Sequence, residues 1–333
     1  MAITNAMMSS LHLVFPPVSS FEAEWLKDDK AAEAWLRDSD FYMLAMRPEV
    51  RFEDSRLKQH GNLLVVPLTC HTLDGTVIRD EVVIDGMELA VRALGAEPQA
   101  YCVEAGPKIL KFWAGTEDDF TAGRLEAPFE WFTTEKLLYD AGRCLPGISG
   151  LGRHREFARY ELLYVGIAKS GDTFDRLFKG AHHARQRILS SEYARRDGSR
   201  VTDELILFPF RLDPLTFRIL GSEDVPTQLS DDDWHAYGKL VVADAEKAFV
   251  HLLDPQYNIQ KFKNYPKGND GVYGRGHERY GYVIAENLTL DAPNGIMHGS
   301  WDCHTQRFDN EADWIFVEGD NVELRQGDRS TAS

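Results

Sequence analysis

No run of eighteen or more apolar residues occurs in the 333-residue sequence, so a membrane-spanning helix is not expected. Residues 1–20 lack a basic start followed by a continuous apolar stretch, so they read as a loose lead-in, not a secretory signal. No Cys-x-x-Cys pair is present. Cys70, Cys102, Cys144 and Cys303 stand apart, which points to reduced thiols and a cytoplasmic setting. The sequence also has no Gly-rich phosphate loop, no Gly-x-Ser-x-Gly elbow and no dinucleotide fingerprint.

Positive charge is scarce as well: 37 Lys and Arg face 53 Asp and Glu, for a net charge of −16. Such a chain makes a poor general polyanion binder, because phosphate contacts need local Lys and Arg. The shortage is uneven. Residues 1–150 hold 14 basic and 24 acidic side chains, residues 151–265 hold 17 of each, and residues 266–333 hold 6 and 12. The acidic N-terminal part could dock a basic protein partner. Within the middle part, the stretch from Arg176 to Arg200 carries the basic side chains Arg176, Lys179, Arg185, Arg187, Arg195, Arg196 and Arg200 against only Glu192 and Asp197. It is the candidate anion-binding patch. The bland reading of such a run is a solvated helix face.

What is present suggests three segments: an N-terminal α+β domain of unknown role (1–145), a middle domain (146–265) and a C-terminal β extension with a loose tail (266–333). Residues 20–46 read as helical from the spacing of Phe21, Trp25, Ala32, Leu36 and Phe41. A hairpin is expected over 62–84, turning at Asp74-Gly75. A helix follows over 87–94, closed by Gly95, and short strands over 100–104 and 108–113. The Gly- and Pro-rich stretch 142–154 marks a boundary.

In the middle domain a strand is expected over 157–167 and a helix over 173–193. Phe174, Leu177, Phe178, Ala184 and Ile188 fall on one face of that helix, and Arg176, Lys179, His183 and Arg187 on another. A second helix is expected over 231–253. There Glu246 falls in an apolar arc among Val242, Phe249 and Val250, while Asp244, Lys247 and His251 lie on the polar side. A carboxylate among apolar neighbours is costly unless it meets a cation. A divalent metal and a buried arginine such as Arg176 both remain open. His182 and His183 are adjacent on the helix and cannot easily chelate one ion. His298, Cys303 and His304 lack zinc-like spacing.

Tyr164-Val165-Gly166, Arg176, Glu246 and Asp254-Pro255-Gln256-Tyr257-Asn258, taken in order, resemble the GIY-YIG nuclease domain over residues 155–265. Tyr164-Val165-Gly166 is similar to the second half of the family's name motif, and Arg176 to its helix arginine. Glu246 is similar to its metal-binding glutamate, and Asn258 to its asparagine. The first half of the motif is not clear: Gly147-Ile148-Ser149 has serine where tyrosine belongs, and Tyr139 and Tyr160 are the substitutes at hand. Lys169 is similar to the lysine behind the second motif, displaced by the intervening Ile167-Ala168.

The resemblance implies an α+β fold with a small sheet and flanking helices. It also implies one Mg²⁺ or Mn²⁺ on Glu246 and hydrolysis of a DNA phosphodiester, with catalytic residues Tyr164, Arg176, Glu246, Asn258 and Tyr160. Nucleic-acid contacts would come from Lys169, Lys179, His183, Arg185, Arg187, Arg195 and Arg196. The alternative is a non-catalytic module on the same fold that binds nucleic acid or protein.

Overall fold

The structure, a computed structural model, describes residues 5–72, 74–125, 127–168, 172–180, 182–218, 231–277 and 279–329. The chain divides into two compact units. One comprises residues 1–47, 159–192 and 205–333, the other residues 48–158 and 193–204.

The first unit is organised on one mixed sheet. Its strands are β1 (Asn5–Leu13), β2 (Val18–Ser19), β3 (Phe41–Met46), β4 (Arg159–Ile167), β5 (Leu205–Arg218), β6 (Arg279–Ile284), β7 (Thr289–Ala292), β8 (Gly295–His298), β9 (Trp314–Glu318) and β10 (Asn321–Arg325). The order is β8-β7-β4-β3-β5-β1-β6-β9-β10, with β2 paired to β5. β1 runs parallel to β6, and β4 parallel to β7. The ends of the order approach each other. A Cβ added to Gly295 of β8 would lie 3.8 Å from Leu324 of β10, so the sheet nearly closes on itself.

This sheet overturns the expected small sheet with flanking helices. Strands from both ends of the chain complete it, so residues 279–325 are part of the main sheet and not an appended extension. Residues 5–13 are likewise no lead-in. Met7, Ser9, Leu11 and Leu13 are buried at every second position, the period of a strand, though Ser9 weakens the apolar pattern.

The helical reading of residues 20–46 fails beyond Leu36. Only α1 (Ala23–Leu26) and α2 (Lys30–Leu36) form there. Asp29 caps α2 by accepting from the backbone N–H groups of Ala31 and Ala32, at 2.8 and 3.1 Å. Residues 41–46 then form β3, in which every residue is buried. A short apolar run without alternation looks the same in a buried strand and in a buried helix, which is why periodicity misplaced it.

The helix expected over 173–193 is broken. A π-helical turn covers Asp175–Lys179 and ends at Gly180, whose N–H reaches the Asp175 carbonyl at 2.7 Å. α3 (His183–Ser191) then starts afresh. α4 (Asp231–Leu253) packs against β4, β5, β8, β9 and β10, and its Val241, Ala245, Ala248, Phe249 and Leu253 are buried. Asp244 of α4 is buried, contrary to its expected polar side. It accepts from the hydroxyls of Tyr265 and Tyr282, each at 2.7 Å, and from the Val272 N–H at 3.1 Å. Burial pushes its carboxyl above the ordinary range despite these donors.

The second unit carries a five-stranded and a three-stranded sheet. The expected hairpin forms from Leu63–His71 and Val77–Asp85. The expected helix forms over Gly86–Leu94 and ends at Gly95 in the left-handed conformation, φ 74°. Ala100–Ala105 pairs with Ile109–Gly115. Ile148–Gly150 pairs with Val82–Ile84, so Gly147-Ile148-Ser149 belongs to this unit's sheet. In chain order, residues 48–158 interrupt the first unit between β3 and β4. Cys70 and Cys102 are free thiols.

Candidate active site

β4 sets the site. Its pairing with β3 places Gly166 opposite Tyr42 and Tyr164 opposite Leu44, with an irregularity between Leu162 and Tyr164. The extra residue of this bulge inverts the alternation. Tyr164 therefore shares a face with Tyr42, and Tyr160 turns to the other. Tyr160 is buried there against Phe208, with ring centroids 4.9 Å apart, and under the Arg47 guanidinium. Tyr160, expected among the catalytic residues, therefore does not line the cleft described next.

A cleft of about 670 Å³ opens in the first unit. Tyr164, Arg176, His182, His183, Arg187, Glu246 and Asn258 all line it. Four elements deliver them: β4, the π turn with α3, α4, and the loop after α4. The tyrosine rings of Tyr42 and Tyr164 stack with centroids 6.1 Å apart. Gly166 permits this approach, because a Cβ there would stand 2.7 Å from both rings. The hydroxyls of Tyr42 and Tyr164 are hydrogen-bonded, and Arg176 is hydrogen-bonded to Tyr164. The Arg176 guanidinium also lies 5.9 Å from the Tyr42 ring centre. Arg176 is exposed and makes no ion pair among the described residues, so it is not the buried partner of Glu246.

His182 orders the pair from behind. Its Nδ1 accepts from the Arg185 N–H at 3.0 Å, which caps α3. Its Nε2 lies 2.9 Å from the Tyr42 hydroxyl. With Nδ1 accepting, the single proton of the neutral ring sits on Nε2 and is donated to Tyr42 Oη. The Tyr42 proton is then left for Tyr164. Burial, with Arg176, Arg185 and His183 nearby, holds His182 down at about 4, from an ordinary 6.5. Burial raises both tyrosines, and Glu246 adds to each shift. The hydroxyls are therefore protonated at neutral pH.

This titration has a consequence for stability. As pH falls below 6.5 the unfolded chain takes up the His182 proton before the folded chain does. The stabilisation is complete above about pH 6.5 and is lost as pH falls toward about 4. It amounts to roughly 3 kcal/mol at most. His182→Asn keeps a capping side chain without the titration, so its urea midpoint should fall less between pH 7 and pH 5 than the wild-type midpoint. Parallel falls in both proteins would contradict this.

The remaining expected site residues divide. Asn258 lies on the cleft, but its amide clamps the β4 backbone: Oδ1 accepts from Val165 N–H at 2.9 Å and Nδ2 donates to Val165 O at 2.7 Å. It positions the strand. Glu246, 9% exposed, faces the cleft from α4. His183 and Arg187 are exposed on the cleft, and Arg187 lies 5.6 Å from the Tyr257 ring centre.

Lys179 points elsewhere, to Glu33 at 3.1 Å and the Phe174 ring at 4.8 Å. Arg185 is buried and donates to Ser20 Oγ, the Ser20 carbonyl and the Leu177 carbonyl, so it is a strut and offers nothing to a phosphate. Arg195 and Arg196 belong to the second unit, where their backbone N–H groups donate to Glu204. Lys169 lies outside the described residues.

Sequence reasoning missed Tyr42 and the role of His182. Tyr42 sits in a run read as helix, far from β4 in the chain. No protein-family model, no curated protein and no solved structure matches this sequence.

Proposed function

We propose that the cleft hydrolyses phosphodiester bonds of DNA with the help of one divalent cation, Mg²⁺ or Mn²⁺. The observation that carries this reading is the convergence of Tyr164, Arg176 and Glu246, from three separate elements, on one cleft, with the buried Tyr42 hydrogen-bonded to Tyr164 behind it. With Tyr42 in the place of the first-motif tyrosine, the set corresponds to that of the GIY-YIG nucleases.

Among the described residues no three His, Cys, Asp or Glu side chains gather as a metal cage. A hard ion that keeps most of its waters needs only one or two carboxylates besides the substrate phosphate, and Glu246 fits that requirement. A bound ion there would supply positive charge to the phosphate and acidify water. Arg176, exposed on the cleft, stabilises the charge that develops on the phosphate oxygens. Tyr42 and Tyr164 act as donors, because both hydroxyls keep their protons at neutral pH. His182 fixes the direction of the relay, and the Tyr164 proton is left to orient the substrate. Asn258 holds β4 in register behind them.

The test is incubation of the purified protein with supercoiled plasmid and branched duplex DNA in Mg²⁺ or Mn²⁺. Arg176→Ala should cut about 10²-fold more slowly or worse, the usual loss for one transition-state donor. Equal cutting by both proteins, or none by either, contradicts hydrolysis at this cleft. Salt-dependent binding without cutting would instead identify a non-catalytic module.

A further inference from the structure

After Asn258 the chain changes character. Residues 255–269 contain no acidic side chain and three lysines, in a protein of net charge −16. This loop lines a second pocket of about 340 Å³, and Gln260 and Phe262 are shared between that pocket and the cleft. The second pocket is basic: Lys247, Lys263 and Lys267 line it against a single carboxylate, Asp270. Lys247 pairs with Asp270, and Lys267 with Asp320 at 2.7 Å. Both acids are exposed, so a phosphate can compete for the lysines. Lys263 is exposed and has no ion-pair partner among the described residues. At the rim of the cleft, between the two sites in the chain, Ile259 is 81% exposed and offers an apolar edge to a base.

We propose that this pocket holds the phosphate next to the one in the cleft, so that the substrate is a DNA strand and not an isolated phosphodiester. This rests on the phosphodiester reading of the cleft. The loop after α4 then serves both sites: its start closes the cleft through Asn258, and its lysines carry the strand onward. Each lysine that meets a phosphate releases counterions, which makes binding salt-dependent.

The experiment measures binding of a twelve-nucleotide single strand in EDTA across a salt series, beside hydrolysis of bis(p-nitrophenyl) phosphate in Mn²⁺. The small ester has one phosphate and cannot span both pockets. Lys263→Ala should weaken strand binding about fivefold and reduce the salt slope by about 0.7, the value for one single-strand phosphate contact. Its hydrolysis of the small ester should equal that of the wild type, and so should its melting temperature. Wild-type affinity and slope in the variant, or no strand binding by the wild type, overturns the strand track. Lys263-dependent binding with no hydrolysis of the small ester by the wild type keeps the track and removes the hydrolytic reading, so the two failures are distinguishable.

Discussion

Glu246→Gln should lower the rate of divalent-cation-dependent DNA cutting by about a thousandfold, at the upper end of what loss of one charge-stabilising group causes. Glutamine keeps the shape of the side chain, so α4 should hold its place among β4, β5 and β8. The charge is what disappears. Glu246 is the carboxylate that α4 presents to the cleft, and its field raises both Tyr42 and Tyr164. The variant should therefore lose its response to added Mg²⁺ or Mn²⁺, while its melting temperature stays near that of the wild type. Cutting at the wild-type rate with an unchanged cation requirement would place the ion elsewhere.

The second large effect is on stability. Phe249→Ala should reduce the unfolding free energy by about 3–5 kcal/mol, the range for truncating a buried aromatic. Phe249 is fully buried, with its ring 5.5 Å from that of Phe41 on β3. This contact ties α4 to the strand that carries Tyr42, so the cavity opens between α4 and the strand behind the cleft. Urea denaturation should show a lower midpoint with a similar slope. Ile259→Ala is the control, since a solvent-exposed residue should change stability by less than about 0.5 kcal/mol. A midpoint for Phe249→Ala as close to wild type as that of the control would mean the Phe41–Phe249 contact contributes little.

Local signals in the chain were legible where turn chemistry is explicit. Asp74-Gly75 marked the hairpin of the second unit, and Gly95 marked the end of its helix. Glu246 and Arg176 were also legible, because a carboxylate in an apolar arc and an arginine after a Tyr-Val-Gly strand are patterns within a short window. The large sheet was not. Its order depends on pairings between β1, β5 and β6, which no local window contains.

Tyr42 was hidden twice. Its strand is buried on both faces and so shows no period of two, and residues 48–158 separate it in the chain from the strand it pairs with. Tyr160 was misread for the opposite reason. It lies close to Tyr164 in sequence, and strict alternation would put the two on one face, but one bulge residue turns them apart. Arg185 shows the limit of charge counting: it belongs to the basic run yet is buried, with its donors on backbone carbonyls and Ser20.

These two tyrosines give the most direct measurement. Tyr42→Phe and Tyr160→Phe remove the same hydroxyl from neighbouring strands of one sheet, and cutting of supercoiled plasmid in Mg²⁺ compares them under identical conditions. With Tyr42 in the relay and Tyr160 on the far face, Tyr42→Phe should cut about a hundredfold more slowly, and Tyr160→Phe should cut at the wild-type rate. The reverse ranking, or equal rates in all three proteins, would contradict a site built on Tyr42, Tyr164, Arg176 and Glu246.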